Sequence, residues 1–102
     1  MTRQRLDPEI RKQQILDAAI NISIQKGYRQ LTRQAVANKL CCAGALINHY
    51  YGDIDSLRDI VLKTAIEKEI MPILAENYGT RGKETSNLSP ALKEKVINYL
   101  MN

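Results

Sequence analysis

The chain has 102 residues, 44% of them hydrophobic, with five Tyr, no Trp and no Phe, and a formal net charge of +4. That size fits one domain with a modest core of Ile, Leu, Val and Ala, but not a core together with a roomy enzymatic cleft. Strand-like alternation is absent almost everywhere and helical spacing recurs, so the predicted fold is all-α.

Residues 1–6, MTRQRL, form a short basic arm. Asp7-Pro8-Glu9 then marks a helix start: Asp can cap free N–H groups, Pro suits the first helical position and Glu suits the positive end of the dipole. Ile15, Ala18, Ala19 and Ile22 recur at helical spacing, and Lys26-Gly27 supplies a stop, so the first helix is expected over residues 8–26. Thr32 is a natural cap for a second helix over residues 33–39, with Ala35, Val36 and Leu40 on its apolar side. A break at residues 40–43 precedes a third helix over residues 44–50, in which Leu46, Ile47 and Tyr50 are available for packing.

Asp53 caps a long fourth helix, expected over residues 54–76 and kinked at Pro72, which removes one backbone hydrogen bond. It carries two apolar stripes, Leu57/Val61/Ala65 and Leu62/Ile66/Ile70/Ile73. A surface helix of a small domain needs only one, so the second must bury against something. Residues 77–89 read as a linker rich in Gly, Ser, Thr, Asn and charge, and Ser89-Pro90 starts a last helix over residues 90–101, with Leu92, Val96, Tyr99 and Leu100 on one face. The expected layout is a head over residues 1–52 and a helical extension over residues 53–102.

Charge divides along the same line. Residues 1–52 carry eight Lys/Arg against three Asp/Glu, a net of +5, whereas residues 53–102 carry seven against eight, a net of −1. A basic excess confined to one half is the footprint of a phosphate-binding surface, although ordinary solvated surface gives the same count.

One helix, a glycine stop, then two short helices around a tight turn is the layout of a helix-turn-helix unit. Residues 11–61 resemble the N-terminal DNA-binding domain of the tetracycline-repressor (TetR) family of transcriptional regulators. The resemblance rests on Ile15-Leu16-Asp17-Ala18-Ala19, Lys26-Gly27-Tyr28, Thr32 with Val36-Ala37 four residues on, His49-Tyr50-Tyr51 and Asp53-Ile54-Asp55-Ser56-Leu57, in register without gaps. It implies a three-helix head whose third helix enters the major groove, on a helical dimerisation body. It further implies a repressor that binds a palindromic operator as a homodimer. The sequence departs from the family where Cys41 replaces a turn Gly, Ala43 a capping Ser, Asn48 a phosphate-contacting Tyr and Ile54 a phosphate-contacting Lys. Only about forty residues follow the match, so the family's ligand-binding domain and control by a small-molecule effector are not expected.

The candidate DNA contacts follow from chemistry and placement. Arg3 and Arg5, with Arg11 and Lys12 behind them, can track phosphates or enter the minor groove; a merely solubilising terminus is the alternative. Thr32 offers its hydroxyl and nearby N–H groups to a phosphate, or simply caps its helix. Arg33 and Gln34 are side-chain types that read guanine and adenine. On the third helix, Gly44 and Ala45 permit close backbone approach, Asn48 suits a base or phosphate, and His49 and Tyr50 suit phosphate; Tyr51 reads as core. One such helix spans too few base pairs for a specific site, so a second copy is expected through an interface of Leu62, Ile66, Ile70, Ile73, Leu92, Val96, Tyr99 and Leu100.

The adjacent Cys41 and Cys42 with His49 fall short of a zinc set, so no metal and no cofactor is expected. A disulfide between neighbouring cysteines is strained, no leader-like or membrane-spanning run is visible, and a reduced cytoplasmic setting is the default. One His, no phosphate-binding Gly loop and no logically paired carboxylates argue against an enzyme. The expected partners are double-stranded DNA and a second copy of the chain. A helical module that binds another regulator is the alternative, favoured by the weak polarity of the third helix.

Overall fold

The computed structural model describes residues 7–79 and 88–101, with side chains described to residue 77 and again from residue 88. Among these residues there are six α-helices, one 3₁₀ turn and no strand: α1 (Pro8–Gln25), the 3₁₀ turn (Tyr28–Gln30), α2 (Arg33–Leu40), α3 (Gly44–Tyr51), α4 (Ile54–Lys68), α5 (Met71–Gly79) and α6 (Pro90–Met101). No helix among them is long and apolar enough to cross a membrane.

Local chemistry sets most of the boundaries. Asp7 caps α1, its carboxylate accepting the Glu9 N–H at 2.8 Å. Thr32 caps α2 by accepting from the Ala35 N–H at 3.1 Å, and Asp53 caps α4 by accepting from the Ser56 N–H at 2.7 Å. Each cap satisfies a donor the helix leaves without an internal partner. Gly27 follows α1 at φ 104°, where a side chain would be strained.

Two helices end alike without glycine. After α2, Cys41 sits in the left-handed region at φ 54°, ψ 46°, while the Cys42 N–H reaches back to the Ala37 carbonyl at 2.9 Å. After α4, Glu69 adopts φ 54°, ψ 51°, and the Ile70 N–H reaches the Ala65 carbonyl at 2.9 Å. Both are the six-to-one closure usually built on glycine.

The core is one cluster. Ile15, Leu31, Val36, Ile47, Leu57 and Val61 are fully buried where α1 to α4 meet, each worth about 1.5–3 kcal/mol relative to exposure. Buried Ser23 donates its hydroxyl to the Ala19 carbonyl at 2.9 Å, and buried Asn77 donates to the Ile73 carbonyl at 2.9 Å, so each has a partner within its own helix.

The expected long fourth helix is instead two helices. Pro72 does more than kink it: as the second residue of α5 its missing N–H costs nothing, whereas in a continuous helix it would lack the bond to Lys68 and press its ring on that carbonyl. The left-handed Glu69 turns the chain, and α5 folds back against α1, α4 and the 3₁₀ turn while α6 packs on α5. That reversal covers part of the second apolar stripe within the chain, burying Leu62 and Ile73 and leaving Ile66 and Ile70 half-buried. Leu62, Ile73, Leu92 and Val96, expected at an interface between copies, are covered by their own chain at 7% exposure or less.

Candidate nucleic-acid interface

Three residues, Cys41, Cys42 and Ala43, join α2 to α3. Cys41 supplies the reversal, and both thiols are free, the first exposed and the second half-buried. Ile47 and Tyr51, one helical turn apart, bury the inner side of α3. The Tyr51 hydroxyl donates to the Lys12 carbonyl at 2.7 Å, tying the end of α3 to the start of α1. The Lys12 ammonium lies 5.5 Å from the centroid of the Tyr51 ring, a cation–π contact that keeps this charge beside the C-terminal end of α3.

The opposite side of α3 faces out. Ala45 and His49 are exposed, while Gly44, Asn48 and Tyr50 are half-buried. The His49 and Tyr50 rings meet edge to face at 5.0 Å, fixing both polar tips near one end of the helix. Thr32, Arg33 and Gln34 are exposed at the start of α2. The Gln34 amide donates to the Asn38 side-chain oxygen at 2.7 Å, which orients it along α2. Arg33 crosses to α3: a Cβ built on Gly44 would stand 3.1 Å from its Nε, 3.4 Å from its Cδ and 3.5 Å from its Cγ.

The residues expected at the site are thus gathered on α2 and α3, with the exception of Arg3 and Arg5, which lie outside the described residues. Between Asp17 and Asp53 the sequence has no acidic residue, while Lys26, Arg29, Arg33 and Lys39 are all basic. Helices α2 and α3 thus carry no carboxylate of their own that would repel a phosphate. Of the expected interface between copies, Ile66 and Ile70 are half-buried, and Tyr99 and Leu100 are 47% and 52% exposed.

Two positioning residues, Glu76 and Arg58, left no readable mark in the sequence. The Glu76 carboxylate of α5 accepts the Tyr28 and Arg29 N–H groups, each at 2.9 Å, from a distance of nearly fifty residues in sequence. The Tyr28 hydroxyl donates to the Arg58 carbonyl at 3.0 Å, and the Arg58 guanidinium lies 4.9 Å from its ring centroid. Together these contacts fix the segment that leads into Thr32 and α2. Burial raises the Tyr28 hydroxyl above its ordinary value against the opposing pull of Arg58, and burial followed by Asp17 and Glu9 raises Tyr51. The Ser56 N–H holds the Asp53 carboxyl below its usual range. Among the described residues no group of three or more His, Cys, Asp or Glu side chains converges as a metal site would require.

Set against family models, curated proteins and solved structures, the chain finds no match in any of the three, so the resemblance of residues 11–61 to the tetracycline-repressor family is carried by the residue pattern alone.

Proposed function

We propose that the chain is a small sequence-specific DNA-binding regulator that presents α3 to the major groove and acts as a homodimeric repressor on a palindromic operator. The observation that carries the reading is the joint exposure of Thr32, Arg33 and Gln34 with Ala45 and His49, on two short helices joined by a three-residue turn and free of acidic side chains. In this reading α2 and α3 form a helix-turn-helix, with α1 and α4 as its support. Thr32, His49 and Tyr50 contact phosphates; Arg33, Gln34 and Asn48 face base edges; Gly44 and Ala45 let the backbone come close. Arg3 and Arg5 extend the basic track toward the flanking backbone.

The second copy joins through the open end of α6, where Ile97, Tyr99, Leu100 and Met101 stay exposed. That same apolar end favours the second reading, a module that pairs with a different regulator.

Selection of bound sequences from a random duplex pool tests the proposal. Enrichment of an inverted repeat with half-sites about one helical turn apart, bound with an affinity that falls steeply as salt rises, supports it. An unenriched pool, with no complex at micromolar protein in low salt, refutes it.

A further inference from the structure

Resting on that reading, we propose that Gly44 is a positioning residue for Arg33, and that Arg33 of α2 supplies the guanine-reading group at the first turn of α3. The first two residues of α3, Gly44 and Ala45, carry no hydrogen-bonding side chain. A helix entering the groove by this end would bring no polar reading group of its own there. Arg33 fills the gap from the neighbouring helix. Its Cγ, Cδ and Nε run across the face of Gly44, at 3.5, 3.4 and 3.1 Å from where a Cβ would stand. A 3.1 Å contact to a Cβ is tighter than ordinary packing, so with any larger residue the arginine stem must give by a few tenths of an ångström at its Nε.

The glycine is not there for backbone freedom. It is the first residue of α3 and is absent from the positions with positive φ. Glycine is a poor helix former, costing about 1 kcal/mol relative to alanine at an interior position and less at a first turn. A residue that weakens its own helix and coincides with a crossing side chain is explained by the space it leaves. Arginine is suited to the task because its planar fork pairs with guanine O6 and N7 together.

A double-mutant cycle on the selected duplex tests this with the full chain. Arg33→Ala is expected to weaken binding by roughly ten- to a hundredfold and to abolish preference for guanine at one position of each half-site. Gly44→Ala is expected to reproduce that loss of preference with an unchanged or raised thermal midpoint, since alanine favours the helix. The double variant is expected to be no weaker than Arg33→Ala alone, because the two changes remove the same contact. Arg33→Lys is expected to keep the salt dependence of binding and lose the guanine preference. Gly44→Ala that discriminates like the unmodified chain overturns the proposal, as does a cycle in which the two losses add. A pool without any enriched sequence overturns the preceding reading instead, so the two failures are distinguishable.

Discussion

Cys41→Gly should stabilise the protein. Cys41 occupies φ 54°, ψ 46°, a region that costs an L-residue about 1–2 kcal/mol. Glycine removes that strain but adds about 0.4–1 kcal/mol of unfolded-state entropy. The Cys41 side chain is exposed, so little packing is lost with it. Taking the middle of each range, the net gain is about 0.8 kcal/mol, which for a domain of this size raises the thermal midpoint by roughly 3–6 °C. Glu69→Gly is the informative companion. Glu69 has nearly the same backbone, φ 54° and ψ 51°, but its carboxylate pairs with Lys95 at 2.6 Å. With the two side chains 60% and 46% exposed, that pair is heavily screened and worth about 0.2–1 kcal/mol at most. Its loss offsets most of the relief, so Glu69→Gly should gain less than Cys41→Gly.

Thermal melts followed by circular dichroism, with urea titrations alongside, give both differences. Cys41→Ala is the control, because alanine keeps the Cβ that makes the conformation costly. A gain from Cys41→Ala equal to that from Cys41→Gly would assign the effect to the lost sulfur and refute the strain argument. A midpoint for Cys41→Gly at or below that of the unmodified chain would refute the left-handed turn itself.

Other consequences are testable in the same assays. Removing the Tyr51 hydroxyl with Tyr51→Phe takes away its donation to Lys12 and should cost about 1 kcal/mol. Because burial raises Tyr28 and Tyr51 above the ordinary 10.0, their stabilising effect is complete below pH 10.0 and is lost as pH climbs through the folded values; the Tyr28→Phe, Tyr51→Phe pair should flatten that alkaline fall in urea midpoint. Asp53 behaves in the opposite sense: its carboxyl is held below 3.8, so its contribution is present above that pH and disappears as pH falls further, and Asp53→Ala should lower stability near neutrality while making the acid limb shallower. Glu76→Ala removes the acceptor of two backbone N–H groups, so stability should fall by about 1–3 kcal/mol and hydrogen exchange at Tyr28 and Arg29 should quicken selectively; unchanged protection there would count against the tie.

Helix starts were the most legible part of the chain because their chemistry is local. Asp7, Thr32 and Asp53 each announce a cap within three residues of the N–H they satisfy. The inner side of α3 was legible in part: Ile47 and Tyr51 meet the core that the spacing of Ile15, Ala19 and Ile22 implies, whereas Leu46 and Tyr50, expected to pack beside Ile47, are only half-buried. Glu76 was not legible. A carboxylate on one helix reads as solvated surface until the fold brings Tyr28 and Arg29 to it, and no spacing rule spans that separation. Arg33 and Gly44 were each legible as DNA-facing residues, but their relation was not: the crossing depends on the angle between α2 and α3, which the turn at Cys41 sets.

The two stripes of residues 54–76 carried a sound inference with the wrong partner. A second apolar stripe does demand cover, but the demand does not say whether cover comes from another copy or from the same chain. Glu69 and Pro72 decide it, by ending α4 and letting α5, which carries Ile73, fold back against α4 with α6 packed on α5. What remains for a second copy on α6 is Ile97, Tyr99, Leu100 and Met101. Four side chains fall well short of the roughly 20–30 residues each partner contributes to an ordinary stable interface. In the proposed regulator, α6 alone would therefore hold two copies weakly, and the operator would supply much of the assembly: binding at adjacent half-sites raises the local concentration of one head beside the other, and a modest contact then suffices. The same arithmetic makes half-site spacing the quantity most sensitive to how α6 sits against α5, because that packing sets how far each α3 lies from the junction.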